Sequence, residues 1–460
     1  MILVFIHLIP SKLTQNRAKY GLSAHTLRLP GLRIYVLNKA SLINTAQKQR
    51  HALSFGPIMS DAIGRIAGTS KITNGAISKD LLTDDGFLLG FNKAVYHTIS
   101  PGSSLKALTT QAAITFLNRI DTLQLDMEGK CRVSLSAWIR STILQGTTDA
   151  VYGASNPFRD PIIERAWYSF EPGVTSLALR IIPAFATRKT RQARATLVES
   201  FTEYFTISYP KGASDFMKAR YNHIIRHGIT NVRDIAKLEV AGAFSIITNS
   251  APTALWLLYH IFSNPIALKD CRLELAPLIH ERSGVCYLDT ESVKILCPIL
   301  HSTLHEVLRY YGVAQSVRAV VEDHKLDNVH LLKKGGLVMM PSTVQHFDQA
   351  VWGSDVDCFD HRRFLPMLRN IPTADANISM RTAFRGFGGG QQMCPGRHFA
   401  VTEILSLVAL MVLRLDIIPV NDGQWPPMDI NSAKGSAVII PDDKLDVYFV
   451  LRDRKTWALL

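Results

Sequence analysis

From Val240 to Leu268 the chain carries no Asp, Glu, Lys or Arg. A stretch that long without charge has two homes, a lipid bilayer or the middle of a protein core. The bilayer meets an obstacle inside the stretch itself. Ser245, Thr248, Asn249, Ser250 and Thr253 gather at mid-span with Pro252 among them, and polar groups facing lipid are costly unless something satisfies them. A long helix over about 235–263, buried in a core, fits better. Pro252 removes one backbone donor and opens the ladder near Thr248. That opened turn is a place for a ligand or water.

A core able to hold such a helix needs a large chain, and 460 residues with 47% hydrophobic content supply one. No repeat, low-complexity block or linker interrupts it, which predicts one domain over 1–460. The opening is strand-rich: HTLRLP and LRIYVLN alternate apolar and polar residues around a Pro30–Gly31 turn. From about Leu105 to Leu308 the pattern is mostly helical, with segments near 105–126, 133–150, 173–184, 190–208 and 214–227. A helix from about Pro298 to Tyr311 stops at Gly312. VRAVVE and GLVMMP then suggest strands. The last long helix starts at Pro395 and runs to about Leu413, and SAVIIP and LDVYFVLRD return to strand. The expected fold class is mainly α with small β-sheets (α+β).

Six cysteines (131, 271, 286, 297, 358 and 394) are scattered with no CxxC pair, which argues for free thiols in a reducing compartment. Lys and Arg outnumber Asp and Glu, 51 to 38, with a pI near 9.5. No long basic run or aromatic interleaving accompanies that charge, so nucleic acid is not expected. An anionic membrane surface or an acidic protein partner is. The opening MILVFIHLIP is shorter than the roughly 20 residues that cross a bilayer. Pro10, Lys12 and Arg17 follow it with no small-residue cleavage site.

The stretch FRGFGGGQQMCPGRHFA, Phe384 to Ala400, packs four glycines into Gly386–Gly390 ahead of Cys394. Each glycine loses more entropy on ordering than any other residue, so something must need that backbone close. Pro395 suits a first helical position, which puts the Cys394 sulfur at the positive end of the following helix. Unshielded glycine amides can also turn toward it. Both features stabilise a thiolate. The following helix is apolar on nearly every face, implying deep burial. An inert core thiol is the alternative, but the loop, the proline and the helix end favour a thiolate that holds a metal centre.

The pattern FxxGxxxCxG, here Phe387, Gly390, Cys394 and Gly396 with Gly388 inside it, resembles the haem-ligand loop of the cytochrome P450 family. Arg397, Phe399 and Ala400 extend the match. The resemblance implies the P450 fold and haem b, with Cys394 as the proximal iron ligand whose thiolate favours O–O cleavage. It also implies that Phe387, Gly388, Gly390 and Gly396 shape the loop around the sulfur. In HEVLRYY, Glu306 and Arg309 stand at i and i+3 on one helix face among Leu300, Leu304, Val307, Leu308 and Tyr311. A buried pair of this kind needs a third partner. FDHRRF follows, and the resemblance implies that Arg363 closes a structural triad with Glu306 and Arg309.

Three departures from the family pattern stand out. Its distal helix commonly carries an acid followed by a threonine, which help deliver protons to dioxygen; here the segment reads NSAPTALW. Asn249, Pro252 and Trp256 are spaced as in the prostacyclin synthase and sterol 7α-hydroxylase branch, which holds both monooxygenases and an isomerase. The resemblance implies Asn249 as a hydrogen-bonding group over the iron, with Thr248 or Ser250 supplying a hydroxyl. Alternatively, all three satisfy backbone carbonyls around Pro252. Gln392 stands where many relatives hold a haem propionate with Arg or His. Arg318, nine residues after Arg309, matches a propionate-pairing arginine of some relatives, the alternative being a surface arginine. Eukaryotic members usually begin with an endoplasmic-reticulum anchor, whereas here the strand-rich opening arrives almost at once, so a truncated or anchorless chain is expected.

The activity this implies is insertion of one oxygen atom of O2 into a lipophilic substrate, a sterol, terpenoid, polyketide or fatty-acid-like molecule of secondary or lipid metabolism. Electrons would come from NADPH through a separate NADPH–cytochrome P450 reductase, since the chain has no flavin or nicotinamide fingerprint. Ala243–Thr248 and Val313–Val317 are expected to line the pocket. A monomer associated with the membrane surface at the cytosolic face of the endoplasmic reticulum is expected. Two alternatives stay open: an isomerase or dehydratase acting on a peroxide without a reductase, and a non-catalytic haem-binding protein.

Overall fold

Strands form at both ends of the chain, as the alternation at 24–37 and 446–451 predicts. The computed structural model describes residues 21–178, 182–368, 374–390, 393–428, 430–431, 436–441 and 445–460. Eight strands build two of its sheets: β1 (Ala24–Leu29), β2 (Leu32–Leu37), β3 (Leu53–Ser54), β4 (Lys130–Ser134), β5 (Gln315–Val320), β6 (Leu337–Pro341), β7 (Leu415–Pro419) and β8 (Asp446–Leu451). The five-stranded sheet has the order β1-β2-β6-β5-β3, and the three-stranded one β7-β8-β4. β1 and β2 pair antiparallel across a turn in which Gly31 takes φ +71°. β2 and β6 run parallel, whereas β5 lies antiparallel to β6 with Arg318 opposite Val338.

Helices fill the middle of the chain. Seven of them position the site: α1 (Ala40–Lys48), α2 (Leu135–Tyr152), α3 (Asp215–Arg226), α4 (Val232–Ile247), α5 (Ser250–Phe262), α6 (Pro298–Tyr310) and α7 (Arg397–Arg414). Local chemistry starts several of them. The Ser214 hydroxyl accepts from the Met217 N–H ahead of α3, Asn231 caps α4 through the Asp234 N–H, and a proline opens α6.

The charge-free stretch is two helices. α4 ends and α5 begins around Thr248 and Asn249, because Pro252 in the first turn of α5 has no N–H to give the Thr248 carbonyl. No described helix is long and apolar enough to cross a membrane. The expected helix at 173–184 shrinks to Val174–Ala178 and a 3-10 turn at Ala184–Thr187. The one at 190–208 becomes Arg188–Glu203 plus a single π turn. Four helices between 40 and 99 went unanticipated: α1, Gly56–Ala67, Lys71–Ile77 and Phe87–Ile99. Glycines punctuate that region (Gly56, Gly64, Gly68, Gly75, Gly86 and Gly90), which breaks the periodic signal into short pieces.

One hydrophobic cluster gathers buried side chains from Ala67 to Trp457, with α5 and α7 running through it. Every residue from Glu403 to Arg414 is buried. Each large aliphatic side chain so placed contributes on the order of 1.5–3 kcal/mol. Trp256 shows how α5 fits: its ring stacks on Tyr311 at 3.7 Å between centroids, and its indole N–H donates to the Ile439 carbonyl at 2.8 Å.

Candidate functional site

The i, i+3 pair on α6 is wholly buried, Glu306 and Arg309 both at 0% exposure. Arg309 grips Glu306 with two N–H···O bonds of 2.7 and 2.8 Å and donates a third to the His346 carbonyl at 2.9 Å. Arg363 approaches from the other side, giving its Nε–H to Glu306 Oε1 at 3.0 Å. The Asp360 N–H adds a fourth bond to the same carboxylate at 3.1 Å. Two cations therefore flank one anion. Arg363 offsets its own charge on Asp355, 3.0 Å away, whose carboxyl it holds below the usual range. The three residues singled out for a structural triad do meet.

His346 carries that network onward. It is fully buried, and burial drives its pKa down to about 3, so the ring is neutral. The Arg385 main-chain N–H points at its Nε2 across 2.9 Å. An amide can only donate, which puts the ring hydrogen on Nδ1. Arg385 opens the glycine-rich loop, and its guanidinium reaches back to Asn44 and Gln47 of α1 at 2.9 and 3.2 Å.

Beyond Arg385 the loop folds tightly. Gly388 and Gly390 take φ of +77° and +66°, which side chains seldom adopt. A Cβ on Gly389 would stand 2.0 Å from the Arg385 guanidinium. The Cys394 N–H donates to the Phe387 carbonyl at 2.9 Å, so the thiol is held over the loop. The helix behind it starts at Arg397 with Gly396 as cap, two residues later than expected, because Pro395 lies in the preceding turn. Cys394 presents open surface, yet protein crowds its sulfur enough that burial pushes the thiol up. The amides of Gly396 and Arg397 and the Arg397 charge pull it back, so the helix end acts as foreseen and burial outweighs it.

Across the core, the α4–α5 break holds the three distal candidates. Thr248 is 4% exposed and its hydroxyl has no partner among the described residues. The Asn249 carboxamide oxygen accepts from the Ala437 N–H at 2.8 Å and the Ser436 hydroxyl at 3.0 Å, tying the break to the 436–438 loop. Ser250 faces Glu403 of α7. Gln392 lies outside the described residues.

Sequence reasoning missed His346, Arg385 and Glu403. Only Glu403 carried a signal, as the single Asp, Glu, Lys or Arg between Arg397 and Arg414. A separate surface cavity of about 330 Å³, lined by His97, Asp215, Lys218, His223 and Arg226 among others, shares no residue with these groups.

Haem b can be tested against these residues. Arg318 is 5% exposed, packs 5.5 Å over the Phe55 ring, and meets no carboxylate among the described residues. Its hydrogen bonds go to the Val317 carbonyl and the Ser316 hydroxyl, and burial lowers its pKa to about 10. A buried cation with no counter-ion matches a haem propionate. An accessible sulfur with amides aimed at it matches an iron ligand. The donor set fits the group.

A family model described as Cytochrome P450 matches residues 239–447. A cytochrome P450 monooxygenase, nodJ of Hypoxylon pulicicidum, is 32% identical over 448 residues, which is 95% of this chain and 84% of that protein. A cytochrome P450 monooxygenase of Gibberella zeae is 26% identical across 93% of this chain and 82% of its own length. The cholesterol 7-alpha-monooxygenase of Cricetulus griseus is 23% identical over 59% of the chain and 56% of that enzyme.

Proposed function

The chain belongs to the cytochrome P450 family and is a haem b monooxygenase, and from that premise we propose that it hydroxylates a lipophilic metabolite of secondary metabolism. The observation that carries the substrate class is the accessible surface of α4. Ser245 is exposed although its helix runs through the core, and Ala241, Phe244 and Ile246 beside it are only partly buried. An accessible face of this composition suits a sterol, terpenoid, polyketide or fatty-acid-like molecule. In this reading Val313–Val317, whose residues 313–316 are also only partly buried, faces the same substrate.

Haem bound at Cys394 supplies the activation of dioxygen. The residues around it hold and orient. Cys394 would ligate the iron within a loop shaped by Phe387, Gly388, Gly390 and Gly396, and Arg318 and Gln392 would bind the propionates. Glu306, Arg309 and Arg363 lock the core beneath the loop. Asn249 fixes the break, whose unpartnered Thr248 hydroxyl would be left for a ligand or a water, with Ser250 next to it. Residues 1–460 act as one domain and as a monomer. NADPH–cytochrome P450 reductase delivers electrons, and the net charge of +13 favours an acidic reductase surface and an anionic membrane face, that of the endoplasmic reticulum.

The carbon monoxide spectrum of the reduced protein tests the ligand. A red-shifted thiolate band is expected, absent in Cys394→Ala. Lipophilic compounds that perturb the haem spectrum should then turn over only with NADPH and reductase. Turnover of a peroxide without them would favour an isomerase or dehydratase, a reading supported by the Asn249, Pro252 and Trp256 spacing.

A further inference from the structure

Trp256 and His260 stand one turn apart on α5, and both meet Tyr311, the residue that caps the end of α6. The Trp256 ring lies on the Tyr311 ring with 3.7 Å between centroids and 9° between planes. The Tyr311 oxygen and Nε2 of His260 are 2.8 Å apart. His260 is itself held flat against Phe359, with 3.5 Å between centroids and 1° between planes. Trp256 is 1% exposed and Tyr311 5%. Tryptophan and tyrosine are among the side chains that most readily give up one electron, and here a pair of them is stacked inside the core. Trp256 lies six residues beyond Ser250, about 9 Å along α5 from the break.

The two rings differ in where their protons can go. The Trp256 indole N–H donates to the Ile439 carbonyl at 2.8 Å, and a carbonyl is too weak a base to keep that proton. The Tyr311 hydroxyl has His260 as its one partner among the described residues, and a buried O–H without an acceptor is costly, so it donates to Nε2. Burial drives the His260 pKa down to about 3, which leaves the imidazole neutral and Nε2 able to accept. A phenol that has lost an electron is a far stronger acid than an intact one, so its proton crosses to Nε2 as the electron leaves. An electron taken from Trp256 is therefore replaced from Tyr311, where the vacancy settles. Tyr310 stands edge-on to Tyr311 at 5.0 Å, and its hydroxyl donates to the exposed Asp357 carbonyl at 3.0 Å. The row of rings runs from the core to the surface.

We infer that Tyr311, with His260 as its base, is a redox-active tyrosine that feeds electrons through Trp256 to hydrogen peroxide in the haem pocket. Peroxide arises there whenever reduced dioxygen is released without being spent on substrate, so the inference rests on the monooxygenase reading. In each round the Tyr311 O–H bond breaks, its electron passes to Trp256 and its proton to Nε2 of His260. A thiol then returns an electron by way of Tyr310, and the proton goes back from His260 to the tyrosyl oxygen. Two rounds supply the two electrons that break the O–O bond, and two thiols release the two protons that the products take up. The sum is one peroxide and two thiols converted to two waters and one disulfide. Tyr311 is an electron donor acting through Trp256, and the activity it adds is a thiol-dependent peroxide reduction.

Electron paramagnetic resonance of the haem-loaded, substrate-free protein, frozen after mixing with hydrogen peroxide, reads the radical directly. A tyrosyl signal that narrows in protein grown on ring-deuterated tyrosine is expected. Tyr311→Phe, which keeps the stack on Trp256, should lack it, and Trp256→Phe should form it at least about tenfold more slowly. No tyrosyl signal in the parent, or one that persists unchanged in Tyr311→Phe, overturns the inference. His260→Phe leaves the tyrosine in place and a ring to stack on Phe359, so a parent-like signal there removes the proton transfer, including when Tyr311→Phe does not load haem. With reduced glutathione present, peroxide consumption should fall at least about tenfold in Tyr311→Phe, and the radical should live longer in Tyr310→Phe. Parent-like values in both overturn the activity. A parent that lacks the thiolate band refutes the monooxygenase reading, whereas one with that band and no tyrosyl signal refutes this inference alone.

Discussion

The main-chain N–H of Arg385 donates to Nε2 of His346 across 2.9 Å, and the His346 carbonyl accepts from Arg309 at the same distance. One buried histidine thus joins the Glu306 network to the loop that presents Cys394. The partners lie 39 and 37 residues apart in the chain. The loop is held by the core triad through a neutral imidazole.

His346→Leu fills a similar volume and leaves the Arg385 N–H without an acceptor. A loss of about 1–3 kcal/mol of stability is expected, with weaker haem retention, because the loop loses its tether. Urea midpoints and haem content on a desalting column measure both.

Glu306→Gln removes the carboxylate shared by two guanidinium groups at 0% and 6% side-chain exposure, and Arg309 loses its one carboxylate partner among the described residues. Removing one partner of a buried network costs about 3–5 kcal/mol. Arg309→Lys keeps the charge and loses the two-pronged grip, so it falls short of the parent as well. Chemical denaturation orders the three proteins: parent, then Arg309→Lys, then Glu306→Gln.

Arg318→Met should act in opposite directions on two measurements. Without haem, the variant removes a buried cation that has no carboxylate partner, so it equals or exceeds the parent by about 1 kcal/mol. Haem titration into the same apoprotein should show affinity about tenfold or more weaker, since a propionate loses its cation. A parent-like haem affinity would refute the propionate assignment.

Acid should destabilise the fold through its histidines. Burial lowers His260, His301 and His346 to about 3 and His305 to about 4, against 6.5 unfolded. As pH falls below 6.5 the unfolded chain takes up protons that the folded one refuses. Their contribution is complete above that pH and is lost steadily toward 3. Urea midpoints at about pH 7.5 and about pH 5 should differ by more in the parent than in His305→Phe.

Glu403 titrates in the opposite sense. Its folded pKa of about 8 stands above the unfolded 4.5, so its contribution is complete below 4.5 and is lost as pH rises through 8. Glu403→Gln, neutral throughout, should flatten the stability profile in that window. A slope unchanged from the parent's would mean that the carboxyl is already ionised in the fold.

Much of this protein was written locally. The run from Val240 to Leu268 had to lie largely in the core, and Pro252 had to open it near Thr248, because both follow from charge content and a missing N–H. The strands at 24–37 showed in alternation. Glu306 and Arg309 stood out as an i, i+3 pair among apolar positions and Cys394 as a thiol behind a glycine loop, whereas Arg363 entered only through the family resemblance. The helices between 40 and 99 did not show, since glycines cut their periodicity.

Other features were decided only in three dimensions. That Ser250 faces Glu403, that Asn249 holds Ala437, and that His346 bridges Arg309 to Arg385 depend on how elements distant along the chain pack. Periodicity tells which face of a helix is buried. It does not tell which polar atom waits on the other side, and in a core of low dielectric that partner sets whether an acid meets a cation, as Glu239 meets Arg220, or only hydroxyls, as Glu403 does.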